Sequence, residues 1–399
     1  MTVHVRRLGD LATVFNGKTP SKAEQRDSGH PVLKIKDVSE TGDFRGQFNS
    51  FVELPIAAKY SSRWIRSGDS LILNAAHNSD YVASKLFLAG KEVSGVLPTG
   101  EWLLIRPEPS HIIHQYLNYW LQSEGTRKQI RFLVKGIHLY PKDVAELLIP
   151  VPQIPEQHRL VDILSRAEGI VRLRREAQKK VQELIPALFL DMFGDPATNP
   201  RGWPIMPLLD VAEIISGVTK GRKIDLSESI SLPYIRVANV QDGHLNLAEI
   251  KYIEVRPNEI EKYRLEPGDL LMTEGGDPDK LGRAALWNGE IEHCLHQNHV
   301  FKVRANRKLV FPEYLRALIG SEYGKRYFLQ VAKQTTGIAS INKNQLGCFP
   351  VVVPPLIQQI EFTDRVIQAR SIQSQQSIAL EKAEAVFQSL LHRAFAGQL

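Results

Sequence analysis

Along this chain, short alternating stretches give way twice to one long helical stripe. V-L-K-I-K (Val32 to Lys36) and S-L-I-L (Ser70 to Leu73) have strand character, with Gly and Asp marking the turns around them. From about His111 to Arg131 the pattern changes. Ile112, Ile113, Tyr116, Leu117, Trp120 and Leu121 fall on one face of a predicted helix. The Pro-rich turn L-L-I-P-V-P-Q-I-P-E-Q (Leu147 to Gln157) ends that region, and Pro155 suits the first turn of the next helix. A helix is then predicted from about Glu156 to Phe193. Leu160, Ala167, Val181 and Leu188 share one heptad position, and Ile163, Ile170, Ala177 and Leu184 lie three residues on. Gly194 is placed to cap its end and Pro196 to prevent its resumption.

The same order of patterns then returns. L-G-D-L-A-T-V-F-N-G (from Leu8) becomes L-L-D-V-A-E-I-I-S-G (from Leu208), and V-L-K-I-K-D-V (from Val32) becomes Y-I-R-V-A-N-V (from Tyr234). S-G-D-S-L-I-L (from Ser67) becomes P-G-D-L-L-M-T (from Pro267), and Tyr116 to Arg127 becomes Tyr314 to Lys325. The offset stays between 198 and 202, too long for a solenoid repeat and constant enough for a tandem duplication. The second stripe, from about Leu356 to Phe395, carries Phe362, Ala369, Ala383 and Leu390 on one row. Val366, Leu380, Phe387 and Ala394 form the next row. Arg174 and Gln376 occupy the same mid-stripe site, where a polar residue fixes register or faces solvent. Two such exposed seams are expected to pack on each other. Periodicity alone leaves open whether they do so parallel or antiparallel. The predicted organisation is a mixed domain over 1–153, a helix over 154–196, a second mixed domain over 197–354 and a last helix over 355–399.

Composition narrows the function. The 399 residues have 43% hydrophobic and 24% charged content, as in a folded protein. A net charge of +6 and a pI of about 9.1 favour a polyanion partner. Two cysteines, Cys294 and Cys348, suggest a reducing compartment, and no signal-like or membrane-spanning run is evident. A cytoplasmic location is expected.

Fragments of catalytic motifs occur but are incomplete. Gly17-Lys18-Thr19 lacks the earlier glycine of a phosphate loop, because Ala12 stands there. The methyltransferase pattern F-x-G-x-G begins at Phe15 and fails at Thr19, and no Asn/Asp-Pro-Pro-aromatic tetrapeptide exists. Pro278-Asp279 lacks a following Glu-x-Lys. His293, Cys294, His296 and His299 have no second half-site of ligands, so they read as a polar strand edge rather than a metal site. The chain reads as a non-catalytic recognition subunit. The alternatives are a DNA adenine methyltransferase with degenerate motifs and a duplicated protein-binding scaffold.

Several motifs together carry a resemblance. They are P-Y-I-R-V-A-N-V (Pro233 to Val240), P-G-D-L-L-M-T-E-G-G-D-P-D-K-L-G-R (Pro267 to Arg283) and H-Q-N-H-V-F-K-V-R (His296 to Arg304). With them go I-P-V-P-Q-I-P-E-Q (Ile149 to Gln157), F-L-D-M-F-G-D-P (Phe189 to Pro196) and the closing H-R-A-F-A-G-Q-L (His392 to Leu399). In this order the chain resembles the specificity subunits of type I restriction-modification systems. The resemblance implies an α+β fold: two similar target recognition domains separated by two long antiparallel coiled-coil helices, with an internal pseudo-two-fold repeat. Each domain would read one half of a bipartite double-stranded DNA site. Two modification subunits would dock alongside, joined by restriction subunits. No cofactor is expected in this chain; S-adenosylmethionine, ATP and Mg would belong to the partner subunits. The first copy has N-A-A-H-N-S-D-Y-V-A-S-K (Asn74 to Lys85) where the second has E-G-G-D-P-D-K-L-G-R (Glu274 to Arg283), so that loop's contacts do not carry over.

Polar loops and strand ends beside glycines supply the candidate DNA contacts. In the first domain these are Lys18, Lys34, Lys36, Asn74, His77, Asn78, Lys135, His138 and Tyr140. In the second they are Lys220, Arg222, Lys223, Arg236, Asn239, Glu274, Lys280, Arg283, Thr335, Thr336, Asn342 and Lys343. Lys36 and Asn239 have a competing role in closing hydrogen bonds within their domains. The run Arg172, Arg174, Arg175, Lys179 and Lys180 could follow phosphates, face the modification subunit or be a solvated face.

Overall fold

The computed structural model describes residues 4–222, 229–277, 281–335 and 338–399. The chain forms two compact units: Met1–Glu176 with Ser377–Leu399, and Ala177–Gln376.

In the first unit an antiparallel sheet has the order Ala12–Asn16, Trp102–Pro107, Ser70–Leu73, Leu86–Leu88. Its two central strands, Trp102–Pro107 and Ser70–Leu73, are buried on both faces, and alternate residues go to different cores. Ile72, Leu103 and Ile105 pack with Tyr116, Leu117 and Trp120; Leu71, Leu73, Trp102 and Leu104 pack with Ile65 and Val93. A smaller sheet pairs His30–Leu33 in parallel with Leu97–Pro98. A two-stranded ribbon joins His4–Arg7 to Leu148–Val151.

The second unit has the same design. Its sheet runs Ala212–Ser216, Val300–Ala305, Leu270–Thr273, Ala284–Leu286. A parallel pair joins Ile230–Ile235 to Leu295–His296, and a ribbon joins Ile205–Pro207 to Pro350–Val352. The repeated S-G-D and P-G-D turns have one purpose. Buried Asp69 accepts from Arg106 Nε and Nη2 (2.9 and 2.7 Å) and from the Arg66 amide (2.8 Å). Asp269 accepts in the same way from Arg304 (2.7 and 2.8 Å) and the Glu266 amide (2.7 Å). The bidentate fork satisfies a carboxylate that burial would otherwise penalise.

Each long helix begins on a buried glutamine. The Ile113 amide donates to Gln157 Oε1 (2.9 Å), and Gln157 Nε2 donates to the His111 and Pro152 carbonyls (3.1 and 2.9 Å). In the second unit the Phe311 amide donates to Gln359 Oε1 (2.8 Å), and Nε2 donates to the Leu309 and Pro354 carbonyls (3.1 and 2.8 Å). Both side chains are fully buried.

Each unit contains a stretch of both long helices. In the first, Leu160, Leu164, Ala167 and Val171 share a core with Phe387, Leu391 and Ala394. Tyr116 packs on Phe395 at 5.3 Å and Arg175 pairs with Glu384. In the second, Phe189 and Phe193 meet Phe362 and Tyr314, and Gln373 Nε2 donates to the Val181 carbonyl.

Four expectations need correction. The predicted helix over 111–131 is two, His114–Gln122 and Glu124–Phe132, because Ser123 caps the second: its Oγ accepts from the Thr126 amide and donates to the Trp120 carbonyl. The central helix is also two, Ile154–Gln182 and Leu184–Phe193. Pro186 has no N–H to give Gln182 and its ring clashes with that carbonyl, so the break falls at Glu183. The V-L-K-I-K strand stops at Leu33, because Asp37 Oδ2 accepts the Lys34 amide and turns the chain into Ile35–Asp37.

The seam is the fourth. Of the first stripe, Leu160 and Ala167 are buried, and Ile163, Ala177, Val181 and Leu188 are half-buried. Ile170 and Leu184 instead face solvent, at 54% and 42% exposure. Leu164, Val171, Phe189 and Phe193 are buried in that half of the seam. The stretch packs on the helix His114–Gln122 as well as on its fellow, so burial follows the 3.6-residue period of a globular core rather than the 3.5 of a heptad. On the last helix, Phe362, Val366, Ala369, Phe387 and Ala394 are buried, and Leu380, Ala383 and Leu390 half-buried beside buried Leu391.

Replacing Gln157 with Leu keeps the volume but strands the Ile113 amide. Chemical denaturation should show the first unit destabilised by about 1–3 kcal/mol, the usual cost of a buried unsatisfied polar group. An unchanged midpoint would show that the clamp is dispensable.

Candidate nucleic-acid interface

The strands Ser70–Leu73 and Leu270–Thr273 end at equivalent places, and the loop after each lies beside a hairpin. In the first unit, the Leu139 amide donates to the Asn74 carbonyl (2.8 Å), and Ala75 bridges His138. The hairpin is tight: Lys135 and His138 bond reciprocally around Gly136, whose φ of +62° is the left-handed geometry such a turn requires. In the second unit, the Ile341 amide donates to the Glu274 carbonyl, and Gly275–Gly276 pairs with Ile338–Ser340, itself paired with Lys333–Thr335. One scaffold thus presents a loop and a hairpin side by side in each unit.

The side chains differ. The Asn74 amide donates to the Glu101 carbonyl and the Glu274 amide to that of His299, so the backbone is the same. Asn74 Nδ2, however, donates to Asn16 Oδ1 (2.8 Å), whereas Glu274 Oε2 lies 2.7 Å from His299 Nδ1. His77, Asn78, Lys135, His138 and Tyr140 are exposed around the first hairpin. Lys135 pairs with Asp143, Asn78 caps the turn Ser79–Tyr81, and the His138 and Tyr140 rings lie 6.3 Å apart.

Other candidates serve the scaffold. Asn74 and Asn239 are buried. Asn239 Nδ2 donates to the Asn246 and Glu249 carbonyls, and its Oδ1 accepts the Arg236 amide. A polar group at a buried strand end must be satisfied internally, so these two are framework and not base readers. Arg222 is held by a bidentate pair with Glu259, Arg236 by Glu249, Arg283 by Gln241 Oε1, and Lys34 by Gln25 Oε1. Asn342 caps the short helix Lys343–Gly347. Lys18, Lys36, Lys220 and Lys343 are exposed, Lys18 lying 5.6 Å over the Tyr60 ring. Thr335 belongs to a strand; Lys223, Lys280 and Thr336 lie outside the described residues. The helix cations Arg172, Arg174, Arg175, Lys179 and Lys180 are all exposed.

The Gly17-Lys18-Thr19 fragment is a strand end. A Cβ on Gly17 would lie 2.2 Å from the Thr99 carbonyl, and one on Gly217 2.0 Å from that of His296; only glycine allows either crossing. The soft-ligand residues also separate. Cys294 is buried with its thiol pushed up to about 12 by burial, His299 faces Glu274, and His293 faces Glu292. No metal-holding cluster is found among the described residues.

Sequence reading missed the exposed apolar residues around the first loop and hairpin, Tyr81, Phe132 and Ile137, and the partner roles of Asn16 and His299. Nothing in a linear pattern marks an apolar residue as exposed, or pairs residues 58 positions apart.

The repeated scaffold is matched by comparison with known proteins. A family model described as the type I restriction modification DNA specificity domain fits residues 2–183 and again 200–382. The chain belongs to this family. A stretch of 162 residues is 30% identical to a protein of Methanocaldococcus jannaschii provisionally described as a type I restriction enzyme MjaX specificity subunit, covering 40% of this chain and 37% of that one. The match to this relative therefore spans little more than a third of its length. The EcoBI specificity subunit of Escherichia coli is 26% identical over 427 residues, covering 98% of this chain and 85% of its own. A solved chain from a study of type I R-M complex assembly and conformational transition superposes with a TM-score of 0.61 at 19% identity, covering 100% of this chain and 98% of that one. This last likeness concerns the fold. Members of this DNA specificity family have the recognition role that the sequence suggested, and neither alternative is favoured. Among the described residues no helix is long and apolar enough to cross a membrane.

One buried group of the second scaffold titrates within reach. His296 Nδ1 donates to the Val300 carbonyl (2.7 Å), and burial, with Lys302 and Arg304 nearby, holds the imidazole down to about 4. The unfolded chain takes that proton near 6.5. Between these values the unfolded state binds more protons, so stability is complete above about pH 6.5 and falls as pH drops toward 4. Denaturation midpoints of the wild type and His296→Gln should therefore converge on acidification through this window. Parallel pH profiles would contradict it.

Proposed function

We propose that each unit reads one half of a bipartite double-stranded DNA site, and that the chain has no catalytic activity of its own. The observation that carries this is the pair of loop–hairpin platforms: one backbone, used twice, with unlike side chains at equivalent positions. A common frame with divergent tips suits two different half-sites, since base readout depends on the side chains and not on the frame. The basic balance of the chain supports attraction to phosphate.

The two helical stretches act as an antiparallel pair between the domains, in a pseudo-two-fold repeat. Support comes from within each unit. Arg175 meets Glu384 while Pro155 and Leu160 line a groove with Ala394 and Leu399; Val181 meets Gln373 while Phe189 meets Phe362. In both cases ascending numbers on one stretch meet descending numbers on the other. Modification subunits dock along this pair and bring S-adenosylmethionine and the methylating residues. Restriction subunits join them and bring ATP and Mg. The complex works in the cytoplasm, where its DNA is.

Mapping modified bases in DNA from a host with and without this chain gives the site. Replacing His77, Asn78 and His138 together with Ala should then relax one half-site only. Each lost bidentate contact removes about 1–3 kcal/mol of discrimination. Equal loss at both halves would refute separate reading heads.

The helices should also set the gap. Four extra helical residues in each add roughly 6 Å at about 1.5 Å per residue. At about 3.4 Å per base pair the preferred gap should grow by one or two base pairs. An active insertion variant with an unchanged gap would exclude the ruler.

A further inference from the structure

Around the hairpin of the first unit, large apolar side chains stand exposed beside the candidate DNA contacts. Tyr81, Phe132, Ile137 and Tyr140 are exposed by 61%, 88%, 43% and 43%. All four fall on the loop 74–82 or on the segment 132–140, and these two are tied together by the Ala75–His138 bridge and the Leu139-to-Asn74 hydrogen bond. Ile137 occupies the two-residue turn beside Gly136, between Lys135 and His138. Phe132 ends the helix Glu124–Phe132, three residues before the hairpin.

The surroundings identify what such a surface meets. Residues 124–143 carry five cations, Arg127, Lys128, Arg131, Lys135 and Lys142, against two carboxylates, Glu124 and Asp143, which pair with Lys128 and Lys135. A cationic segment with apolar tips suits a polyanion that also offers apolar faces, which is duplex DNA opened at a base step. The second unit differs at the equivalent place, where the 198 offset puts the exposed Gln330 opposite Phe132.

We propose that Ile137 and Phe132 form a wedge that unstacks bases in the half-site read by the first unit. This rests on the DNA-reading function proposed above. The hairpin turn holds Ile137 out at low conformational cost, and Arg127, Arg131 and Lys142 nearby attract the phosphates flanking the opened step.

The test uses the full chain and a duplex that it selects from a randomised 60-base-pair pool (about 60, long enough for both halves and a gap at about 3.4 Å per base pair). Permanganate reactivity of thymines reports unstacking. The wild-type complex should show enhanced reactivity within one half-site, and Ile137→Ser with Phe132→Ser should return it to the level of free duplex. Affinity should fall about tenfold, as for loss of a base-stacking contact. Both side chains are exposed, so thermal unfolding should not change. A wild-type complex with no reactive thymine, or variants that keep the reactivity, would overturn the wedge while leaving DNA reading intact. Failure of the wild type to select any duplex would overturn the underlying function itself. Variants that bind and open DNA normally but lose a co-purifying protein would make the patch a protein-docking face and refute the proposal.

Discussion

The buried glutamine at the start of each long helix is the constraint on which the other features depend. Gln157 and Gln359 each use both side-chain groups, joining the Pro-rich turn, the segment that leads into the helix His114–Gln122 or its counterpart Pro312–Gly320, and the outgoing helix. A primary amide in a fully buried site must have its donors and acceptor satisfied together, so it tolerates one arrangement of these three segments. Rotating the outgoing helix would break every bond at once. The direction in which each helix leaves its domain is therefore set by polar geometry, while its affinity for that domain comes from apolar burial.

That burial has a reciprocal form. Tyr116 packs against Phe395, near the end of the last helix, and Tyr314 against Phe193, at the end of the central one. Each unit thus combines the helix that begins within it with the end of the other helix. The hydroxyls of the two tyrosines make the same bond, Tyr116 to the Pro150 carbonyl and Tyr314 to that of Val352. Burial drives both phenols well above their ordinary range, so they remain neutral donors. Such sharing makes each unit depend on two distant parts of the chain. Its contacts span large sequence separations, and assembly must await synthesis of both helices.

Within this frame the functional variety is confined to the tips. Asp69–Arg106 and Asp269–Arg304, Gly17 and Gly217, and Ser123 and Ser321 repeat almost atom for atom. Asn74 and Glu274, on one backbone position, do not. A buried charged fork or a glycine crossing admits no substitute without a cost to the fold, whereas an exposed hairpin can change its chemistry freely.

The sequence by itself determined the duplication, the two mixed domains, the helical stripes and the family, because these are carried by repeated residues at a nearly constant offset. It also indicated the loop–hairpin region: His77 and Asn78 were identifiable as polar residues following a strand, and His138 and Tyr140 as polar or aromatic residues following Gly136. Tertiary structure decided what neighbours in space decide. Asn74 and Asn239 resembled base readers in the sequence but are buried framework, because a strand end 58 residues away and loop carbonyls 7 and 10 residues away claim their amides. Ile170 matched the heptad yet faces solvent, while Val171 is buried, because a third helix widened the packed face. Pro186 and Ser123 broke helices that apolar periodicity had joined, since periodicity registers side-chain faces and not backbone hydrogen bonds. The exposed Phe132 and Ile137 had no signature at all. Whether an apolar residue is covered depends on which surfaces the fold brings over it, and that is a property of the assembled chain.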